Sequence, residues 1–143
     1  MAKKYGEYDQ KEYDIVKKTV YAEARGEPLK GQKWVVWVIR NRADANKSYW
    51  GGDRLDEVCK HPRQFECWDG KSDIPIHEKE AYDSIDKWLP DVLKTDKSQD
   101  PTDGSDHYHN PSTPGEWEKS EEWRKNCVET EKIGKHQFYR SKK

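Results

Sequence analysis

Across 143 residues, 27 Lys and Arg stand against 28 Asp and Glu, for a formal net charge of −1. The two signs are mixed along the chain, which argues against a nucleic-acid partner, because phosphate binding needs a basic excess on one face. No apolar run approaches the roughly 20 residues that span a bilayer, so no membrane segment is expected.

The length suits one domain over 1–143, with a core over about 9–140 and loose ends at 1–8 and 141–143. Leu, Ile, Val and Phe number only 20. That share, about 14%, lies below the ~20% that flags disorder when net charge is high. Here the net charge is small, and 7 Trp and 8 Tyr supply large buried areas instead. The stretch Met1–Tyr5 has no apolar h-region, so no secretory leader is expected within the sequence. Cys59, Cys67 and Cys127 lack C-x-x-C spacing; a short Cys59–Cys67 disulfide and reduced, buried thiols are both open.

In chain order, Tyr13, Val16, Val20, Tyr21 and Ala24 recur in steps that place them on one face of a helix over Asp9–Arg25. Gly26 suits the C-terminal stop through a positive φ, and Pro28 suits the first turn of a second helix over Pro28–Asp44. Trp34, Val35, Val36, Trp37, Val38 and Ile39 make that helix apolar nearly all round, as befits a core element. Asn41 and Arg42 ride on it and need buried partners. Tyr49-Trp50-Gly51-Gly52 reads as a turn, with Asp53 capping a short helix through Val58. A third long helix is expected over Ile76–Lys94, kinked or ended near Leu89 by Pro90. The last third reads as β: Asp106–Asn110, then Val128–Ile133 and His136–Arg140 about a Gly134 turn, with a short helix over Glu116–Lys125.

Glu23 stands out chemically. It lies at a helix C-terminus, where the partial negative charge disfavours an anion, while Glu27 lies at a helix N-terminus, where the anion is favoured. Carboxylates in contrasting environments are a pattern of acid/base pairs. His107 and His109 alternate onto one strand face and invite a metal site with His136. Cys67 or Cys127 with His136 is a further pairing. Gln64 beside Trp68, and Asn110 beside Tyr108, combine an amide with a ring, which suits sugars.

Taken together, Tyr21-Ala22-Glu23-Ala24-Arg25-Gly26-Glu27-Pro28, Gly31-Gln32, Val38-Ile39-Arg40-Asn41-Arg42, Gln64-Phe65-Glu66-Cys67-Trp68, Asp100 to Asn110 and Ile133 to Tyr139 resemble the spore cortex-lytic (SleB-type) cell-wall hydrolases, in order and spacing. The resemblance implies an α+β, lysozyme-like, mainly helical domain with a small antiparallel β-sheet in the C-terminal third. It implies cleavage of peptidoglycan glycan strands between N-acetylmuramic acid and N-acetylglucosamine, on the wall, without metal, organic cofactor or obligate protein partner. Glu23 matches the family's single catalytic Glu, which protonates the glycosidic oxygen before the muramyl 6-hydroxyl closes a 1,6-anhydro ring. Gln64, Phe65, Trp68, Tyr108, Asn110, His136 and Tyr139 are the expected substrate-binding residues. Trp34 and Trp37 depart from the pattern in being bulkier than the family's residues there. A two-carboxylate hydrolase would instead need Glu27, Glu66 or Asp100 about 5–5.5 Å from Glu23 for retention, or about 6.5–9.5 Å for inversion. A glycan-binding module without turnover is the non-enzymatic alternative.

Overall fold

Helix α1 (Gln10–Ala24) starts on a capping box: the Asp9 side chain accepts from Glu12 N at 2.9 Å, and Glu12 Oε1 accepts from Asp9 N at 3.1 Å. The other Glu12 oxygen accepts from Leu55 N at 2.8 Å, the first N–H of α3 (Leu55–Lys60). One carboxylate, 1% exposed, thus satisfies backbone donors of two helices. That replaces the expected cap by Asp53: α3 begins after Arg54, with no side-chain cap of its own. The computed structural model describes residues 7–62, 64–110 and 126–142, so the helix expected over Glu116–Lys125 lies outside the described residues.

Helix α2 (Leu29–Ala45) is buried from Trp34 through Ala43 and forms the spine of the core. Its polar passengers are satisfied at a distance. Asn41 Nδ2 donates to Ser105 O at 2.8 Å and Asp100 Oδ2 at 3.0 Å, and Arg42 Nε donates to Asp106 O at 2.7 Å. They therefore anchor the segment that enters the first strand, far along the chain.

The long third helix is broken. Its parts are α4 (Lys79–Ser84), a 3-10 turn (Ile85–Lys87) and α5 (Leu89–Lys94). A continuous helix would drive the Pro90 ring into the carbonyl one turn earlier. The break is taken at Trp88, at φ −131°, and Pro90 falls in the first turn of α5. The segment before α4 stays non-helical because the Tyr21 hydroxyl accepts from His77 N at 3.0 Å and Glu78 N at 2.8 Å.

Strands β1 (His107–His109), β2 (Cys127–Ile133) and β3 (His136–Ser141) form an antiparallel sheet in the order β1-β3-β2. Tyr108 pairs with Phe138, and His107 with Tyr139. Alternation then puts Tyr108, His136 and Phe138 on the face toward α2, where Phe138 meets Trp34 at 5.2 Å between ring centroids. His107, His109 and Tyr139 take the opposite face. Among the described residues no helix is long and apolar enough to cross a membrane.

Glu12→Ala keeps the Asp9 cap on α1 but removes the acceptor of Asp9 N and of the buried Leu55 N, and should cost about 2–4 kcal/mol. Urea unfolding measures this; a loss under about 0.5 kcal/mol would contradict the capping role.

Candidate active site

Glu23 is the next-to-last residue of α1. The chain leaves the helix without the left-handed glycine expected at Gly26. Arg25 closes the helix at φ −60°, Gly26 is absent from the positive-φ glycines, and Glu27 N donates to Ala24 O at 2.9 Å. The change of direction is made by Pro28, extended at ψ 153°. This turn leaves Glu23 and Glu27 both reaching toward the sheet.

Glu23 Oε1 accepts the Tyr108 hydroxyl at 2.6 Å. The Tyr108 ring is held by His136, Phe138 and Phe65, with centroids at 4.8, 5.4 and 6.3 Å. Burial, then the charge of Glu23 and the hydrogen bond to it, hold the Tyr108 phenol well above its usual range, so it remains a donor. Burial and the same carboxylate also push the half-buried Cys67 thiol up. Cys59, buried, is pushed up to about 12 mainly by desolvation. All three cysteines are free, which leaves the possible Cys59–Cys67 disulfide unformed, and no thiolate is favoured as a nucleophile at either site.

Beneath this group lies Arg42, 6% exposed. Its Nη1 donates to Gln64 Oε1 at 3.1 Å and its guanidinium lies 5.3 Å from the Phe65 ring centroid. Desolvation pulls its pKa down, and Tyr108, Asp106, Cys59 and Glu23 push the other way. A buried guanidinium within electrostatic reach of Glu23 was not among the expected site residues. The signal available in sequence was an Arg on a helix apolar nearly all round, which must find acceptors.

Glu27 serves a different end. Its Oε1 accepts from Lys135 N at 2.9 Å, and a Cβ at Gly134, at φ +56°, would collide with the carboxylate. Gln32 Nε2 closes the junction by donating to Glu27 O at 2.9 Å. His136 Nδ1 lies 3.9 Å from Glu27 Oε1, too far for a hydrogen bond. Asp100 is equally committed, accepting from Thr102 N at 2.7 Å, the Thr102 hydroxyl at 2.6 Å and Asn41. Glu66 is exposed on a 3-10 turn.

The expected sugar-binding residues divide. Tyr108 reaches Glu23, Phe65 and His136 pack on the Tyr108 ring, and Gln64 joins the group through Arg42. Trp68 does not present a ring to a sugar. It is 5% exposed, and its indole donates to Thr19 Oγ1 at 2.9 Å inside the core. Tyr139 is on the far face, its hydroxyl 2.8 Å from His109 Nε2. Asn110 follows β1, half-buried. The three-histidine arrangement also fails, since His136 and the His107–His109 pair lie on opposite faces; among the described residues no group of three His, Cys, Asp or Glu is placed to hold a metal.

Glu23 also lines an open depression of about 390 Å3 with Ala22, Ala24, Arg25, Gly26, Glu78 and Ala81. The small side chains leave room beside the carboxylate. Arg25 and Glu78 form an ion pair at its edge, and Arg25 lies 4.6 Å from the Tyr21 ring centroid.

The sequence model of one family, described as Cell Wall Hydrolase, matches residues 26–139. The chain belongs to the cell wall hydrolase family. Glu23 lies just ahead of the matched residues. The chain is 31% identical over 135 residues to a spore cortex-lytic enzyme of Bacillus cereus, and 30% identical over 135 residues to one of Oceanobacillus iheyensis. These alignments cover 92% of this chain but 45% and 42% of the relatives, so the chain spans less than half the length of the curated relatives it matches. Among solved structures it resembles the catalytic domain of the germination-specific lytic transglycosylase SleB from Bacillus anthracis. There the identity is 31% and the TM-score 0.64, over 92% of this chain and 95% of that one. The catalytic domain of the Bacillus cereus SleB protein gives 28% identity and a TM-score of 0.65, over 96% and 98%. The expected α+β, lysozyme-like fold, mainly helical with a small C-terminal antiparallel sheet, is thus the fold this family member has.

Burial holds the His136 pKa below its usual value, against the opposing pull of Glu27 and Glu23. As pH falls through about 6.5 the unfolded chain takes up a proton that the folded chain refuses, so stability drops. Urea midpoints at pH 7.5 and 5.5 should differ less in His136→Gln than in the wild type. An equal difference in both would contradict this placement of His136.

Proposed function

We propose that this chain cleaves the glycan strands of peptidoglycan between N-acetylmuramic acid and N-acetylglucosamine as a lytic transglycosylase, with Glu23 as its one acid/base. The observation that carries the reading is Glu23 itself: a carboxylate at the edge of an open depression, bonded to the Tyr108 hydroxyl, in a chain of this family. The similarity to a domain described as a lytic transglycosylase supports the reaction type.

Glu23 enters protonated and gives its proton to the glycosidic oxygen as the C1–O bond to the leaving sugar breaks. The resulting carboxylate takes the proton of the muramyl 6-hydroxyl as that oxygen bonds to C1. Glu23 is thereby reset, and no water is consumed. The route needs no second carboxylate, which accords with the structural employment of Glu27 and Asp100. It needs no metal or organic cofactor. The site of action is the wall, and the partner is the glycan strand.

Digestion of purified peptidoglycan by the wild type and by Glu23→Gln tests the assignment. The variant should lose at least about a hundredfold in rate, the scale of general acid catalysis. Mass spectrometry should find 1,6-anhydromuramyl ends in the wild-type digest. Reducing ends, heavier by one water, would instead select a hydrolase, and binding without soluble fragments would select a glycan-binding module.

A further inference from the structure

Tyr108 was expected to contact sugar, yet its hydroxyl is spent on a protein group. It donates to Glu23 Oε1 at 2.6 Å, across 85 residues of sequence. The ring is fixed on several sides by His136, Phe138 and Phe65. The backbone is fixed as well, because Tyr108 is the central residue of β1, paired with Phe138 of β3. A phenol so held cannot turn toward a ligand without breaking a ring packing and a short hydrogen bond together.

We propose that Tyr108 is the positioning residue of the transglycosylase reaction: it holds Glu23 Oε1, leaving Oε2 to carry the transferred proton, and it steadies the carboxylate that exists between the two proton transfers. This rests on the reading of Glu23 as the acid/base. A hydroxyl bonds more strongly to a carboxylate than to a carboxylic acid. The Tyr108 bond therefore tightens when Glu23 has given up its proton and relaxes when Glu23 is reset. Tyr108 keeps its own proton throughout, so it moves no proton in the balance. The titratable and charged groups that face Glu23 are Tyr108, Arg42, His136, Cys59 and Cys67, and the Cys67 thiol also hydrogen-bonds to it.

Tyr108→Phe retains the ring and removes only the hydroxyl. It should lower kcat by about tenfold or more, the worth of one hydrogen bond to a charged group, with KM near the wild-type value. Without the donor the anion is disfavoured, so the active protonated form persists and the alkaline limb of the pH–kcat profile moves to higher pH. Site-specific 3-fluorotyrosine at position 108 keeps the packing and donates more strongly, and should move that limb to lower pH; it also serves if Tyr108→Phe fails to fold. Wild-type turnover and an unmoved limb in Tyr108→Phe would overturn the proposal. So would a loss of rate with the limb unmoved in either variant, which would mark Tyr108 as packing alone. Activity surviving in Glu23→Gln would instead overturn the assignment of Glu23, and this proposal with it.

Discussion

Two carboxylates four residues apart grip the C-terminal sheet. Glu23 takes the hydroxyl of Tyr108 on β1, and Glu27 takes the N–H of Lys135 in the turn between β2 and β3. Each bond closes a long chain separation, 85 and 108 residues. An ordinary hydrogen bond contributes roughly 0.5–1.5 kcal/mol, so the pair helps to fix the sheet to the helices. The grip depends on the chain between them. Were α1 to run on, the two side chains would share a helix face. Because it ends at Ala24 and Pro28 redirects the chain, they reach two different parts of one sheet.

A domain short of aliphatic residues also holds a buried polar centre. Arg42, Asn41 and Glu12 are nearly or fully buried, yet each reaches acceptors or donors from segments distant in sequence. Rings close the remaining surface around them: Trp34 against Phe138, Phe65 against Tyr108, Trp50 beside His107. The polar contacts fix directions that aliphatic packing alone would leave loose. Glu23 is then presented by a rigid helix end and a rigid strand, on the open side of which small residues make room.

Much of this was legible in the order of residues. The apolar steps of α1 and the continuous apolar face of α2 depend on local periodicity, and so does the hairpin about Gly134. The Glu23–Glu27 junction stood out because Gly and Pro punctuate it. What stayed hidden depends on long-range pairing. Trp68 reads as a surface ring until Thr19, 49 residues earlier, supplies an acceptor inside the core. Tyr108 reads as a sugar platform until the β1-β3 register turns it inward. The three histidines read as one cluster until the same register sends His136 to the other face. Gly26 could adopt a left-handed turn, but nothing local required it once Pro28 took the bend.

The most direct test of the central claim is a crystal structure of Glu23→Gln with a bound muramyl–glucosaminyl oligosaccharide. The account predicts a glycosidic oxygen within hydrogen-bonding distance of the residue 23 side chain, with the Tyr108 hydroxyl still on the other side of that group. A glycan seated elsewhere, or one stacked on Tyr108 with its hydroxyl turned away from residue 23, would contradict it.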